Sequence, residues 1–378
     1  MADLQDEADT ATAIGTLDAQ YAHISAPATP PSAPQPEASP PAGPLERARA
    51  LLAAHPVVDG HNGLAQVLRA VPWCDLELGE RSLDTDVPRL RAGRVGAQFW
   101  SLQVPAGDRA VSTTLDRIDQ VRALVTEYPE ALRAARGAGE TTDARNCGRV
   151  AALLGPVSGH ALADSLGTLR AYHALGVRSV TLCGTSWTTQ GDGLTRFGHE
   201  VVREMNRLGV LADLTGASLD TMRRTLAVAK APVIFSHSAA RALTDHPLNV
   251  PDDVLRLLRS NNGLCMVGFA ADQVVRGPAA ALREVADHLE HVREVAGPDC
   301  VGLGAGYDTG ATHADGLTDV SRYPQLIAEL LERDWSEADI AALTWGNAMR
   351  VMRDAEFAAR AAQLRRPPSA ATIDELDR

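Results

Sequence analysis

Eight short apolar runs recur between Pro56 and Ala305, and nothing else in the sequence restricts the fold as strongly. They are PVVDGH (56–61), VGAQFWSLQV (95–104), GRVAALLGPV (148–157), RSVTLC (178–183), GVLADL (209–214), PVIFSH (232–237), GLCMVGF (263–269) and CVGLGA (300–305). Each is rich in Val, Ile or Leu, and few alternate apolar with polar residues. Such runs suit parallel strands buried on both faces. Helical patterns lie between most of them. Residues 162–175 carry Leu162, Leu166 and Leu169 on one face, and residues 194–209 carry Phe197, Val201 and Met205 ahead of Gly209, a helix-stop signal. Ser218 starts another helix by its capping hydroxyl, and Ser336 with Asp339 starts one of the last. Strand and helix alternating eight times predict an α/β fold, a closed (β/α)8 TIM barrel. An open doubly wound sheet is the alternative, weakened because no GxGxxG opens a helix after the first strand.

Residues 1–44 read differently. Residues 26–44, APATPPSAPQPEASPPAGP, are mostly Pro, Ala and Ser with no large apolar side chain. They cannot bury enough surface to offset the entropy of ordering, so a disordered tail is expected over 1–44 and the barrel with its C-terminal helices over 45–378. The formal net charge of −12 argues against nucleic acid or an anionic membrane surface as a partner. Cys74, Cys147, Cys183, Cys265 and Cys300 are scattered, with no CxxC pair, which reads as reduced thiols and a cytoplasmic location. No segment has the roughly 18 apolar residues of a membrane span, and the first residues lack the basic and apolar regions of a signal peptide.

In a barrel of this type the chemistry belongs at the carboxyl ends of the strands. The first run ends in Asp59-Gly60-His61-Asn62, the third leads to Ser158-Gly159-His160, the sixth ends in Ser236-His237-Ser238, and the eighth leads to Tyr307-Asp308-Thr309. Histidines from two strands and a carboxylate from a third have the chemistry to share a divalent ion that activates water. By spacing alone, hydrogen-bonded core or loop histidines explain the same pattern.

The flanking sequence resembles the zinc-dependent membrane (renal) dipeptidase family, peptidase family M19. VVDGHNGL looks like that family's VVDGHNDL, and GAQFWSLQVP like its GAQFWSVYVP. GHALADSLGTLRAYHALGVRSVTL is similar to its GHSIDNSLGTLRALYDLGVRYMTL. APVIFSHSAARAL, NVPDDVLRLL, VGLGAGYDTG and the stretch through TWGNAMRV follow in family order, so the likeness covers about residues 45–375. It implies a metal-dependent barrel that hydrolyses dipeptides with two zinc ions held by five side chains. Carried across by motif, the DGHND histidine matches His61 and the IFSHS histidine matches His237. The other three ligand positions fall at Gly63, Val157 (the bridging glutamate) and Gly216. The substrate-side histidine falls at Gly184, the arginine that holds the dipeptide carboxylate at Leu248, and the proton-transferring aspartate at Gly306. Asp308 and His160 keep family counterparts and are the weaker substrate-side candidates. The stretch 271–281 is short beside the family's usual insertion over the pocket.

These losses have physical consequences. Two divalent ions about 3.5–4 Å apart repel unless a carboxylate and a hydroxide bridge them, and valine supplies neither. A catalytic zinc usually takes three protein ligands. The cofactor expectation is therefore at most one weakly bound ion at His61 and His237, or none, and no catalytic residue is assigned. The expected function is that of a catalytically impaired or inactive family homologue, a pseudoenzyme that binds a small molecule such as a dipeptide, or a partner. The resemblance implies a homodimer, or a heterodimer with an active paralogue. The alternative is a zinc-dependent dipeptidase working with the reduced site at His61 and His237. A third reading, a different reaction using Asp308, Tyr307 or Cys183, has only the position of those residues behind it.

Overall fold

Every one of the eight runs carries a strand in the computed structural model, which describes residues 43–70, 74–79, 82–189, 193–277 and 279–377. The strands are β1 (Val57–Asn62), β2 (Val95–Trp100), β3 (Leu132–Ala135), β4 (Val150–Leu154), β5 (Val157–Ser158), β6 (Ser179–Thr181), β7 (Leu211–Asp213), β8 (Ile234–Ser238), β9 (Leu264–Val267) and β10 (Val301–Leu303). All the strand pairs are parallel, in the order β3-β4-β2-β1-β10-β9-β8-β7-β6-β5. β4 and β5 are one stretch of chain, separated only by Gly155 and Pro156. Leu154 at the end of β4 also bridges Val177 in parallel and accepts the N–H of Arg178 at 2.9 Å, just before β6. That joint brings the two ends of the ladder together as the eight staves of a (β/α)8 barrel, with β3 added outside on β4.

β3 is the strand the apolar runs did not reveal. Leu132 and Ala135 are buried while Arg133 and Ala134 are not, so it reads as polar surface rather than as a core strand. The barrel staves are the opposite: β1, β2 and β4 are buried at every position. That burial on both faces is why they read as unbroken apolar runs.

The helices start and stop for local reasons. Thr195 accepts the N–H of Gly198 to open the helix Arg196–Leu208, and Gly209 ends it at φ +75°. Phe197, Val201 and Met205 on its inner face are buried, each worth roughly 1.5–3 kcal/mol relative to exposure. Glu204 is buried on the same helix, and its charge is met by Arg207 at 2.8 Å and Arg170 at 3.1 Å. Ser218 caps Leu219–Val228 and Ser336 caps Glu337–Ala341, both as the sequence suggests. The pattern over 162–175 divides instead. Leu162 closes a 3-10 turn (Gly159–Leu162), Ala163 and Asp164 take positive φ, and Ser165 caps a fresh helix, Leu166–Ala174. The tail expected over 1–44 lies outside the described residues, apart from Gly43 and Pro44, where Pro44 begins the helix Pro44–Ala54. Among the described residues no helix is long and apolar enough to cross a membrane.

Candidate functional site

The two retained histidines meet at the carboxyl end of the barrel. β1 delivers His61 and β8 delivers His237, and their rings stack with centroids 3.8 Å apart and planes 28° from parallel. Burial holds the His61 imidazole well below its ordinary pKa, and His237 beside it adds to the effect. Burial also lowers His237, with Asp213 pulling the other way. Two neutral rings therefore face each other.

A buried chain of hydrogen bonds fixes His237. Ser236 Oγ donates to Asp213 Oδ2 at 2.8 Å and lies 2.8 Å from His237 Nδ1. With its one proton given to the carboxylate, the hydroxyl accepts from His237, which places that ring's proton on Nδ1. Asp213 also accepts from the N–H groups of Thr215 and Ser236, both at 3.1 Å, and from Thr181 Oγ1 at 3.1 Å. His61 lacks such an anchor: its Nδ1 is buried without a hydrogen-bond partner. Beneath it Asp59 accepts from Gln98 Nε2 at 2.8 Å and from Ala305 N–H at 2.9 Å. Burial pushes the Asp59 carboxyl up to about 6, partly offset by the Gln98 bond.

Above the histidines lies a cavity of about 490 Å³, lined by His61 and His237 together with Gln66, Gln103, Arg117, His246, Leu248, Asp272, Gln273 and Gly306. Its walls come from the segments after β1, β2, β8, β9 and β10, the face where barrels of this kind carry their chemistry. Of the remaining candidates, Asp308 and His160 do not line it. Asp308, at φ +59°, accepts the N–H of Asp84 at 2.8 Å, and burial pushes its carboxyl up to about 7. His160 spends Nε2 on the carbonyl of Val104 at 3.0 Å. Tyr307 is fully buried and donates to Leu317 O at 3.0 Å. Cys183 belongs to a separate cavity of about 350 Å³ beside Gly184, Gly216 and Arg241. Burial and the Asp213 charge push its thiol up to about 11, which leaves little nucleophilic thiolate at neutral pH.

The positions that differ from the family motifs have been absorbed by the fold. Val157 is fully buried and pairs with Val180 in the core. Gly63 packs so closely that a Cβ would lie 2.2 Å from the backbone oxygen of Asp308. A Cβ at Gly216 would lie 3.2 Å from Leu248 Cδ2, so the leucine leans over the vacated position. Gly184, Gly216 and Gly306 all have positive φ.

The donor chemistry does not fit a paired-metal centre. Among the described residues no three His, Cys, Asp or Glu side chains converge to hold a metal ion. The two imidazoles that do converge are stacked on each other, and one ring nitrogen of His237 is committed to Ser236.

Two residues of the site escaped sequence reasoning. Asp213 sits inside an apolar run and signals its role only through the polar Thr215 and Ser236 that turn toward it. Arg117 lies in the middle of the helix Ala110–Glu127 with nothing in its local sequence to distinguish it.

Geometry and motif thus describe a metallohydrolase-type barrel with an altered mouth, and comparison with known proteins agrees on its ancestry. The sequence profile of the membrane dipeptidases (peptidase family M19) matches residues 45–366. Dipeptidase 3 of Macaca fascicularis is 43% identical over 331 residues, which span 82% of this chain and 67% of that protein. Dipeptidase verJ of Clonostachys rogersoniana is 38% identical over 345 residues, spanning 82% of this chain and 87% of that one. Among solved structures, a metallo peptidase from Rhodobacter sphaeroides, liganded with a phosphinate mimic of L-Ala-D-Ala, superposes with a TM-score of 0.73 at 23% identity. That match covers 80% of this chain and 99% of the other, and supports the fold. The chain belongs to the membrane dipeptidase family.

Proposed function

We propose that this protein is a catalytically impaired member of its family that binds a small molecule at the barrel mouth without metal-assisted hydrolysis. The observation that carries this reading is the pair of stacked, neutral imidazoles, His61 on His237, with no third ligand beside them among the described residues. A hydroxide nucleophile at neutral pH requires the pKa of water to fall from 15.7 to about 7, which is the work of a well-held metal. Val157 offers no bridge between two ions, and Gly306 no carboxylate to shuttle the proton. The cavity of about 490 Å³ remains, within the range of small-molecule sites. Incubation of purified protein with zinc and a panel of L-L and L-D dipeptides tests the reading. No release of free amino acids above background is expected; zinc-dependent turnover abolished by His61→Ala would overturn it.

A second reading keeps one observation in its favour. The unpartnered Nδ1 of His61 and the unprotonated Nε2 implied for His237 are both able to ligate, and the relatives named above are called dipeptidases. A single-metal dipeptidase at these two rings is that reading, and the same assay separates the two.

A further inference from the structure

We propose that the protein carries a second binding site, remote from the barrel mouth, that takes a small organic phosphate between Arg136, Arg178 and Arg360. These arginines line a cavity of about 470 Å³ that shares no lining residue with the one above the histidines. Arg178 stands immediately before β6, and Gly209 and Leu211 bring the start of β7 to the same wall. The cavity therefore lies at the amino ends of those strands, whereas His61 and His237 stand at carboxyl ends. Arg136 follows β3, the strand added outside the barrel, and Arg360 comes from the helix Asn347–Gln363. Three separate elements thus bring an arginine to one space.

The protein's own carboxylates do not pair these arginines. Among the described residues no ion pair joins any of the three to an Asp or Glu. The two acids of the lining are held by backbone instead: Glu356 Oε1 accepts the N–H of Ala138 at 2.8 Å, and Glu140 Oε2 that of Arg136 at 2.8 Å. Arg178 is half-buried and fixed in place. Its Nε donates to Arg136 O, and its Nη1 to His173 O at 3.1 Å and Val177 O at 2.8 Å. Its Nη2 makes no such bond and is not among the buried unpartnered atoms, so solvent reaches it. Burial and the Arg136 charge lower the Arg178 pKa, with Glu140 and Glu356 opposing, and the guanidinium stays protonated. His173 in the wall is pushed down to about 4 by burial and by Arg178 and Arg207, so it is neutral near pH 7. Three guanidinium groups against two carboxylates leave the cavity positive.

The surroundings select the kind of anion. The helix Ala138–Asn146 opens on the same cavity through Gly137 and Gly139, which put no side chain over its first turn, and a helix start favours negative charge. Phosphate offers three acceptor oxygens to guanidinium forks arriving from different elements. Leu208, Leu211, Met352, Ala355 and Ala359 supply apolar lining for the organic part. The volume is within the range of small-molecule sites.

Calorimetric titration of the full chain near neutral pH tests this with phenyl phosphate, and with benzoate and phenol as comparisons. The wild type is expected to bind phenyl phosphate about tenfold more tightly than either, or better. R136Q/R360Q, which changes two exposed side chains and leaves the anchored Arg178 in place, is expected to weaken phenyl phosphate by about tenfold or more. R353Q removes another exposed arginine of the same helix, one that does not line the cavity, and is expected to leave the affinity within about twofold. No binding of phenyl phosphate by the wild type, no preference for it over benzoate, unchanged binding in R136Q/R360Q, or an equal loss in R353Q would each overturn the proposal. The double variant also assigns the binding to this cavity rather than to the mouth, so the result stands apart from what the mouth binds or hydrolyses.

Discussion

His61 and His237, brought from β1 and β8, stack face to face at 3.8 Å and 28°. Two imidazolium ions at that distance would repel strongly, and burial disfavours the charge on each, so the pair exists as neutral rings. The stack occupies the place where the family motif would direct both rings at metal.

His237 depends on Ser236 for its orientation. Ser236→Ala removes the link between the ring and Asp213 and leaves a buried carboxylate oxygen with Thr181 Oγ1 as its remaining side-chain donor. A loss of about 1–3 kcal/mol in unfolding free energy is expected, measured by urea denaturation. A change within experimental error would show that the chain of hydrogen bonds contributes nothing net.

Gly63 and Gly306 make a contrasting pair. Gly306 has φ +78° with open space around a would-be Cβ, so Gly306→Ala carries backbone strain alone, about 1–2 kcal/mol. Gly63 has an ordinary φ of −92°, but its Cβ would strike the Asp308 carbonyl at 2.2 Å. Gly63→Ala should therefore cost more, about 3 kcal/mol or above, because backbone must move. Thermal or denaturant unfolding of the two variants gives the order; the reverse order would contradict the packing described around Asp308.

Asp308 makes stability depend on pH. Burial raises its carboxyl from 3.8 to about 7. The folded protein therefore favours the protonated acid. Its contribution is fully present below the unfolded value and is lost as pH rises through about 7, a cost reaching roughly 4 kcal/mol in alkaline solution. Asp308→Asn keeps an oxygen for the N–H of Asp84 and tolerates the left-handed backbone. Relative to wild type, the variant should gain stability steadily between pH 4 and pH 8. Parallel unfolding curves across that range check it, and a constant difference would mean that the carboxyl titrates normally.

Much of the barrel was legible because its staves are buried on both faces, so β1, β2 and β4 read as continuous apolar runs whatever surrounds them. β3 was not, because half of Leu132–Ala135 faces outward and four residues carry too little pattern. The break at Ala163 and Asp164 was hidden by Leu162, Leu166 and Leu169, which keep helical spacing across a turn. In the site, His61 and His237 were found from their place at strand ends, a consequence of topology. Their stacking was not, since it depends on how two strands on different sides of β10 and β9 bring rings to one point. Arg117 was missed for a related reason: it reaches the cavity from the middle of the helix Ala110–Glu127, and only the packing of that helix beside the barrel mouth puts it there.

Metal content tests the two-histidine site most directly. Protein purified without chelator, incubated with excess zinc and then dialysed, should retain no more than one ion per chain by elemental mass spectrometry, and that ion only weakly. Two zinc ions retained per chain would contradict it, because His61 and His237 cannot hold them and the donors would have to come from side chains that Gly63, Val157 and Gly216 do not supply.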